Sequence, residues 1–162
     1  MTKKRFKKIF YAIILCSLLI FTLTSCSSSK PTDKNVSVKD IDEKIKKSVD
    51  ISNMNVGNSE KLKKLYDINS EDLEDFVLYT PSTNIEANEI LVMKVKDSSK
   101  MDDIKAKISA RIDSQAANFK DYLPDEYYLI EKHVLKTKDN YILFVISEDA
   151  DKIEKTFDES FK

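Results

Sequence analysis

Gly57 is the only glycine in a chain of 162 residues, and that scarcity restricts what the backbone can do. Glycine supplies the positive φ and the close backbone approach on which phosphate-cradling loops depend. The chain therefore carries neither a glycine-rich phosphate loop nor the Gly-x-Gly-x-x-Gly turn of a dinucleotide-binding fold. Calcium loops also use a glycine for their sharp turn. None is available beside the acidic run Glu148, Asp149 and Asp151. Those three residues are expected to be charge at a helix N-terminus behind a Ser147 cap, and Asp102 and Asp103 after Ser99 are read the same way.

The two cysteines, Cys16 and Cys26, both lie near the front of the chain. Lys3, Lys4, Arg5, Lys7 and Lys8 form a basic start, and residues 9–21 are uncharged and mostly apolar. A membrane-crossing helix needs about 20 apolar residues, whereas the core of an export signal needs about 7–15. The stretch ends in Leu23-Thr24-Ser25-Cys26, which resembles the lipobox of bacterial lipoproteins. An aliphatic residue and two small ones precede a cysteine whose sulfur takes a diacylglyceryl group. Residues 1–25 are thus expected to be a signal peptide, with Cys26 the lipid-bearing first residue of the mature chain. An uncleaved N-terminal anchor is the alternative, and both place the C-terminal domain outside the cell membrane, on its extracellular face.

Cleavage before Cys26 leaves 137 residues, enough for a single domain with its own core. The five basic residues of the signal leave with it, so 22 basic residues face 28 acidic ones. That negative surface repels phosphate backbones, and no nucleic-acid partner is expected. Membrane attachment is expected through the lipid on Cys26 alone. With both thiols spent, disulfides and cysteine metal sites are excluded, and no cofactor is expected.

Residues 26–36 are polar and read as a flexible tether, with a single α+β domain over 37–162. Ser37 caps a helix whose Val38, Ile41, Ile45 and Val49 form one apolar stripe. Gly57 breaks the pattern, and Ser59 caps a short helix with Leu62, Leu65 and Tyr66 inward. Strands are predicted over 76–80, 89–96, 127–136 and 141–146, the last two joined by a turn at Lys138-Asp139-Asn140. Between them a helix after Ser99 carries Ile104, Ile108, Ile112, Ala116 and Phe119 inward, with Lys105, Lys107, Arg111, Asp113 and Lys120 outward, and ends at Pro124. A last helix follows Ser147 with Ile153, Phe157 and Phe161 inward. The expected plan is N-terminal helices followed by a ββα-ββα unit, giving a small, mostly antiparallel four-stranded sheet. Residues 90–93 and 141–146 lack alternation, as strands buried on both faces do. The two later helices are expected on one face and the N-terminal helices over part of the other; a homodimer through the sheet would satisfy the same pattern.

Candidate site residues are few. His133, the only histidine, is expected to be a solvent-facing residue of an edge strand, with no second histidine or thiol to make a metal site. Tyr122, Pro124, Tyr127 and Tyr128 cluster at one helix-to-strand corner and are the expected contact surface, set against ordinary corner packing. No serine sits in a nucleophile-elbow motif, and no catalytic residue is assigned.

The stretch Tyr122-Leu123-Pro124-Asp125-Glu126-Tyr127-Tyr128, the run at 140–153, Leu65-Tyr66-Asp67-Ile68 and Asp72-Leu73-Glu74 together resemble an uncharacterised family of small lipoproteins from clostridia-like Gram-positive bacteria, known as a domain of unknown function. The resemblance implies export and lipid anchoring and carries over no catalytic residue. A binding or accessory module for a protein or small ligand is the expected role. A cell-envelope hydrolase using Asp and Glu residues, or a structural subunit of an envelope complex, are its rivals. Cys26→Ala is predicted to abolish incorporation of labelled palmitate and to slow signal processing; normal labelling of that variant would contradict the lipobox.

Overall fold

A computed structural model describes residues 36–162. The signal segment, Cys26 and the tether up to Asn35 lie outside the described residues. Val36 is already part of the domain: its carbonyl accepts a hydrogen bond from the Tyr141 hydroxyl at 2.5 Å.

Helix α1 (Val38–Ser48) starts where Ser37 Oγ accepts the Asp40 amide at 3.0 Å. It buries Val38, Ile41 and Ile45, the predicted stripe. Strand β1 (Met54–Val56) comes next, and then α2 (Ser59–Tyr66), capped by Asn58 rather than Ser59. After one short turn at Ser70–Asp72 come β2 (Leu73–Pro81) and β3 (Glu89–Val95). Helix α3 (Met101–Phe119) is entered through a turn in which the Asp97 carboxylate accepts the Ser99 amide at 2.9 Å. Helix α4 (Pro124–Glu131), strands β4 (Val134–Lys138) and β5 (Tyr141–Ile146), and helix α5 (Ala150–Glu159) complete the described chain.

The sheet has five strands, not four, in the order β1-β2-β3-β5-β4, and every neighbouring pair is antiparallel. The β4–β5 hairpin pairs Lys138 with Tyr141 and turns through Asp139, which takes a positive φ of 51° in place of a glycine. Two departures separate this plan from ββα-ββα. Strand β1 is an addition of only three residues. Residues 127–136 are not one strand, because Pro124 opens a helix that runs to Glu131 before β4 begins. Proline fits the first helical position, where its missing N–H costs nothing, and Asp125 and Glu126 suit the first turn.

Side chains of the central strands alternate between two cores. Leu78, Leu91, Met93, Ile142, Phe144 and Ile146 pack with Leu62 of α2, Ile104 and Ile108 of α3, and Ile130 of α4. Tyr79, Ile90, Val92, Leu143 and Val145 pack with Ile41 and Ile45 of α1 and Ile153 and Phe157 of α5. The helices after β3 and β5 therefore cover opposite faces, and not the one shared face that the sequence pattern suggests. This corrects the pairing and explains the unbroken apolar runs, since one chain buries both faces without a second copy.

The sheet edges are short or charged. Lys136 on β4 reaches back to Glu154 at 2.8 Å and Asp158 at 2.7 Å on α5. On the other flank, the Gly57 amide donates to the Leu78 carbonyl at 2.8 Å. A β-carbon on Gly57 would stand 2.6 Å from Leu78 Cδ2, inside contact distance of a fully buried side chain. Gly57→Ala is predicted to destabilise the domain by about 1–3 kcal/mol, the usual cost of overpacking; an unchanged urea midpoint would show that β1 moves aside freely.

Candidate functional site

Strand β3 starts and β5 ends at the same end of the sheet, with Glu89 opposite Ile146. Glu89 shares a face with Leu91 and Met93 and is completely buried. A buried carboxylate must be paired and hydrogen-bonded to persist as an ion. Arg111 supplies the charge, with Nη2 2.8 Å from Oε2 and Nε 3.3 Å from Oε1. Gln115 Nε2 donates to Oε2 at 2.7 Å, and the Tyr66 hydroxyl donates to Oε1. Burial, and next the charge of Glu89, hold the Tyr66 hydroxyl well above its ordinary pKa, so it remains a donor. One strand and two helices, α2 and α3, are thus locked together through a single carboxylate.

The helical pattern alone puts Arg111 on the outer side of α3, and the structure corrects this. Its side chain is 18% exposed and points to the core. The signal is present in the sequence: Ile108, Arg111, Gln115 and Phe119 succeed one another at spacings of three, four and four, so two polar residues occupy stripe positions.

Next to this cluster the sheet end opens into a groove. Its inner part, about 200 Å³, is lined by the end of α1 and the adjoining turn (Asp50, Asn53), by Asn88, by Glu126 and Leu129 of α4, and by Ser147, Glu148 and Asp149. Its outer part, about 590 Å³, shares Glu126, Leu129, Ser147 and Glu148 and adds Asp125, Tyr128, Lys132, Ala150 and Asp151. The Glu126 carboxylate also accepts the Ala87 amide at 2.7 Å, which fixes the loop leading into β3. Acidic residues from three separate stretches of chain therefore line one concave surface.

The predicted residues divide between roles. Tyr128 is 58% exposed and lines the outer groove, with the Lys132 ammonium 5.7 Å from its ring centre. Tyr122 is exposed in the turn between α3 and α4, and Pro124 is exposed at the start of α4. Tyr127 packs against the core beside Ile130. The corner is a helix start, and only Tyr128 of the four lines the groove. Glu148 lines both parts of it, Asp149 its inner part and Asp151 the outer part. Ser147 is not the cap of the last helix: Asp149 stands at that position without a side-chain cap bond, and Ser147 Oγ accepts the Asp149 amide at 3.1 Å in the turn before it. Asp102 and Asp103 form ion pairs with Lys105 and Lys107 in the first turns of α3. His133 does not face solvent on a strand. It is half-buried between α4 and β4, with Nδ1 2.7 Å from the Ile130 carbonyl. Among the described residues no group of three or more His, Cys, Asp or Glu side chains is arranged to hold a metal ion, and no helix is long and apolar enough to cross a membrane.

Fold and site define a small three-layer domain, helices on both faces of an antiparallel sheet, with an acid-lined groove at one end. The chain matches the domain of unknown function DUF4358 over residues 47–147 and belongs to that family. The matched span includes all five strands, Glu89, Arg111, Gln115 and Glu126, while α5 and most of α1 fall outside it. No curated protein and no solved structure matches the chain.

Removing Arg111 leaves a buried carboxylate without its cation. Arg111→Met is predicted to cost about 3–5 kcal/mol of stability. Adding Glu89→Gln should return a large part of it, because the stranded charge is gone. A double variant as unstable in urea as the single one would mean that packing, not charge, is what Arg111 contributes.

Proposed function

We propose that this chain is a lipid-anchored extracytoplasmic binding module whose groove takes a cationic segment of a protein or a small cationic ligand. The observation that carries the proposal is that Asp50, Glu126, Glu148 and Asp149 all line one concavity at the sheet end. Such a lining attracts ammonium and guanidinium groups and repels phosphates. Tyr128, on the outer wall, already has the Lys132 ammonium 5.7 Å from its ring centre, a cation contact that an incoming lysine or arginine would share or replace. Support for the cellular address comes from the Leu-Thr-Ser-Cys motif ending at Cys26 and the excess of acids in the mature chain.

An acid-based hydrolase is the second reading, favoured by Glu126 and Glu148 lining the same groove. Glu126 already spends one carboxylate oxygen on the Ala87 amide, which makes it first an anchor for its loop.

Calorimetry with a lysine-rich peptide, an acidic control peptide and a cell-wall glycan fragment separates the two. The module takes up the basic peptide, loses it as salt rises, and leaves the glycan intact. Replacing Glu148 by Gln and Asp151 by Asn removes two exposed charges worth about 0.5 kcal/mol each, so affinity should fall about five-fold. Equal affinity for basic and acidic peptides would reject the module, and glycan turnover lost in Glu148→Gln would establish the hydrolase.

A further inference from the structure

We propose that the partner of the acidic groove is an extended segment of a protein, with basic residues flanked by apolar ones, and not a small cationic ligand. The inference rests on the binding reading above and narrows it to one of its two ligand classes. Its basis is what lies on either side of the groove.

On the α1 side, a shallow, open depression of about 710 Å³ adjoins the inner part of the groove. The two share Val49, Asp50, Ile51 and Met54, so the turn from α1 into β1 belongs to both. From Met54 the depression follows β1 to Val56 and to Tyr79 of β2, the residue paired with Val56. On the α4 side, the outer part shares Glu126, Leu129, Ser147 and Glu148 with the inner part and continues to Tyr128. The three concavities are therefore one continuous track with acidic residues along its middle.

Four large apolar side chains are exposed among the described residues: Val56, Ile85, Tyr122 and Tyr128. Two of them stand on this track, on opposite sides of its middle. Val56 is 75% exposed, although strand valines are normally at least half covered. Its strand is an edge of the sheet, with β2 on one side and no strand of the described residues on the other. A small amine occupies the acidic middle and leaves both flanks in water. A chain with a cation at its centre covers all three parts, and its flanks remove further apolar surface from water. Charge sets the order of the segment. Lysine or arginine is drawn to the stretch lined by Asp50, Glu126, Glu148 and Asp149. Lys46 and Lys47 border the depression beside Val56, so an apolar residue is favoured there over a further basic one.

The full chain, in detergent with a matched blank, is titrated by calorimetry with two peptides. One has two central lysines flanked on each side by two leucines; the other has serines in place of the leucines. The leucine peptide should bind about ten-fold more tightly, a gain that partial burial of its flanks supplies. Val56→Ser should cut that ratio to about three-fold and leave the affinity for the serine peptide unchanged, which also reports an intact groove. Val56→Thr, close to valine in shape, should lower the ratio too, and it decides the matter if Val56→Ser loses both peptides. Equal affinity for the two peptides, or a ratio that neither variant lowers, overturns the extended segment and leaves a groove for cations. Uptake of neither peptide by the unaltered chain overturns the binding reading itself, and this inference with it.

Discussion

Strand β5 is buried along its whole length, and β3 at every position but Lys94, so neither face of the sheet centre can meet water. The rest of the architecture answers that constraint. An antiparallel sheet commonly leaves one face solvated, but this one cannot. Helices α2, α3 and α4 close one face and α1 and α5 the other. Covering both faces within one chain forces the helices that come after β3 and β5 apart. It also makes the first and last described helices partners in one layer, although they stand at opposite ends of the domain's sequence.

Glu89 is the exception that the apolar sheet has to accommodate. It sits at a core position at the end of β3, and burial without partners would be prohibitive. Tyr66, Arg111 and Gln115 fill its hydrogen-bonding positions from two helices, so a polar intrusion becomes the point at which α2 and α3 are registered on the sheet. A second tie serves the other face, where the Tyr79 hydroxyl donates to Asp42 at 2.6 Å and Lys46 approaches the same carboxylate at 2.7 Å. Both layers are thus fixed by a tyrosine and a cation on one acid. These contacts add geometric choice that hydrophobic burial alone, being non-directional, does not give.

Much of the scaffold is legible in the sequence. The stripe Val38, Ile41 and Ile45, the Ser37 cap and the continuous run 141–146 all stand as periodicity and capping rules imply. What escapes such rules has identifiable causes. Strand β1 is three residues long with one half-buried side chain, too little for a period to register. Tyr127, Tyr128 and Ile130 favour strands, but Pro124 with two acids behind it starts a helix, and that local rule prevails over residue preference. Arg111 looks like one more solvated cation, because a charge on a helix normally is one. Glu89 looks like a polar strand boundary. Only their pairing in space shows why both face inward. The groove cannot be read ahead of the fold, since its acids come from stretches nearly a hundred residues apart in the chain.

The edges of the sheet bear on how such domains live together. Strand β1 offers three residues of open backbone, and β4 carries Lys136 and Lys138, the first held by Glu154 and Asp158. Lysines and brevity at an edge keep sheets from extending into one another. For molecules confined to a plane by acyl chains, as proposed, collisions between neighbours are frequent and rarely end in escape. Under that crowding, blunt edges favour separate copies over the ribbons that strand-to-strand stacking would otherwise assemble.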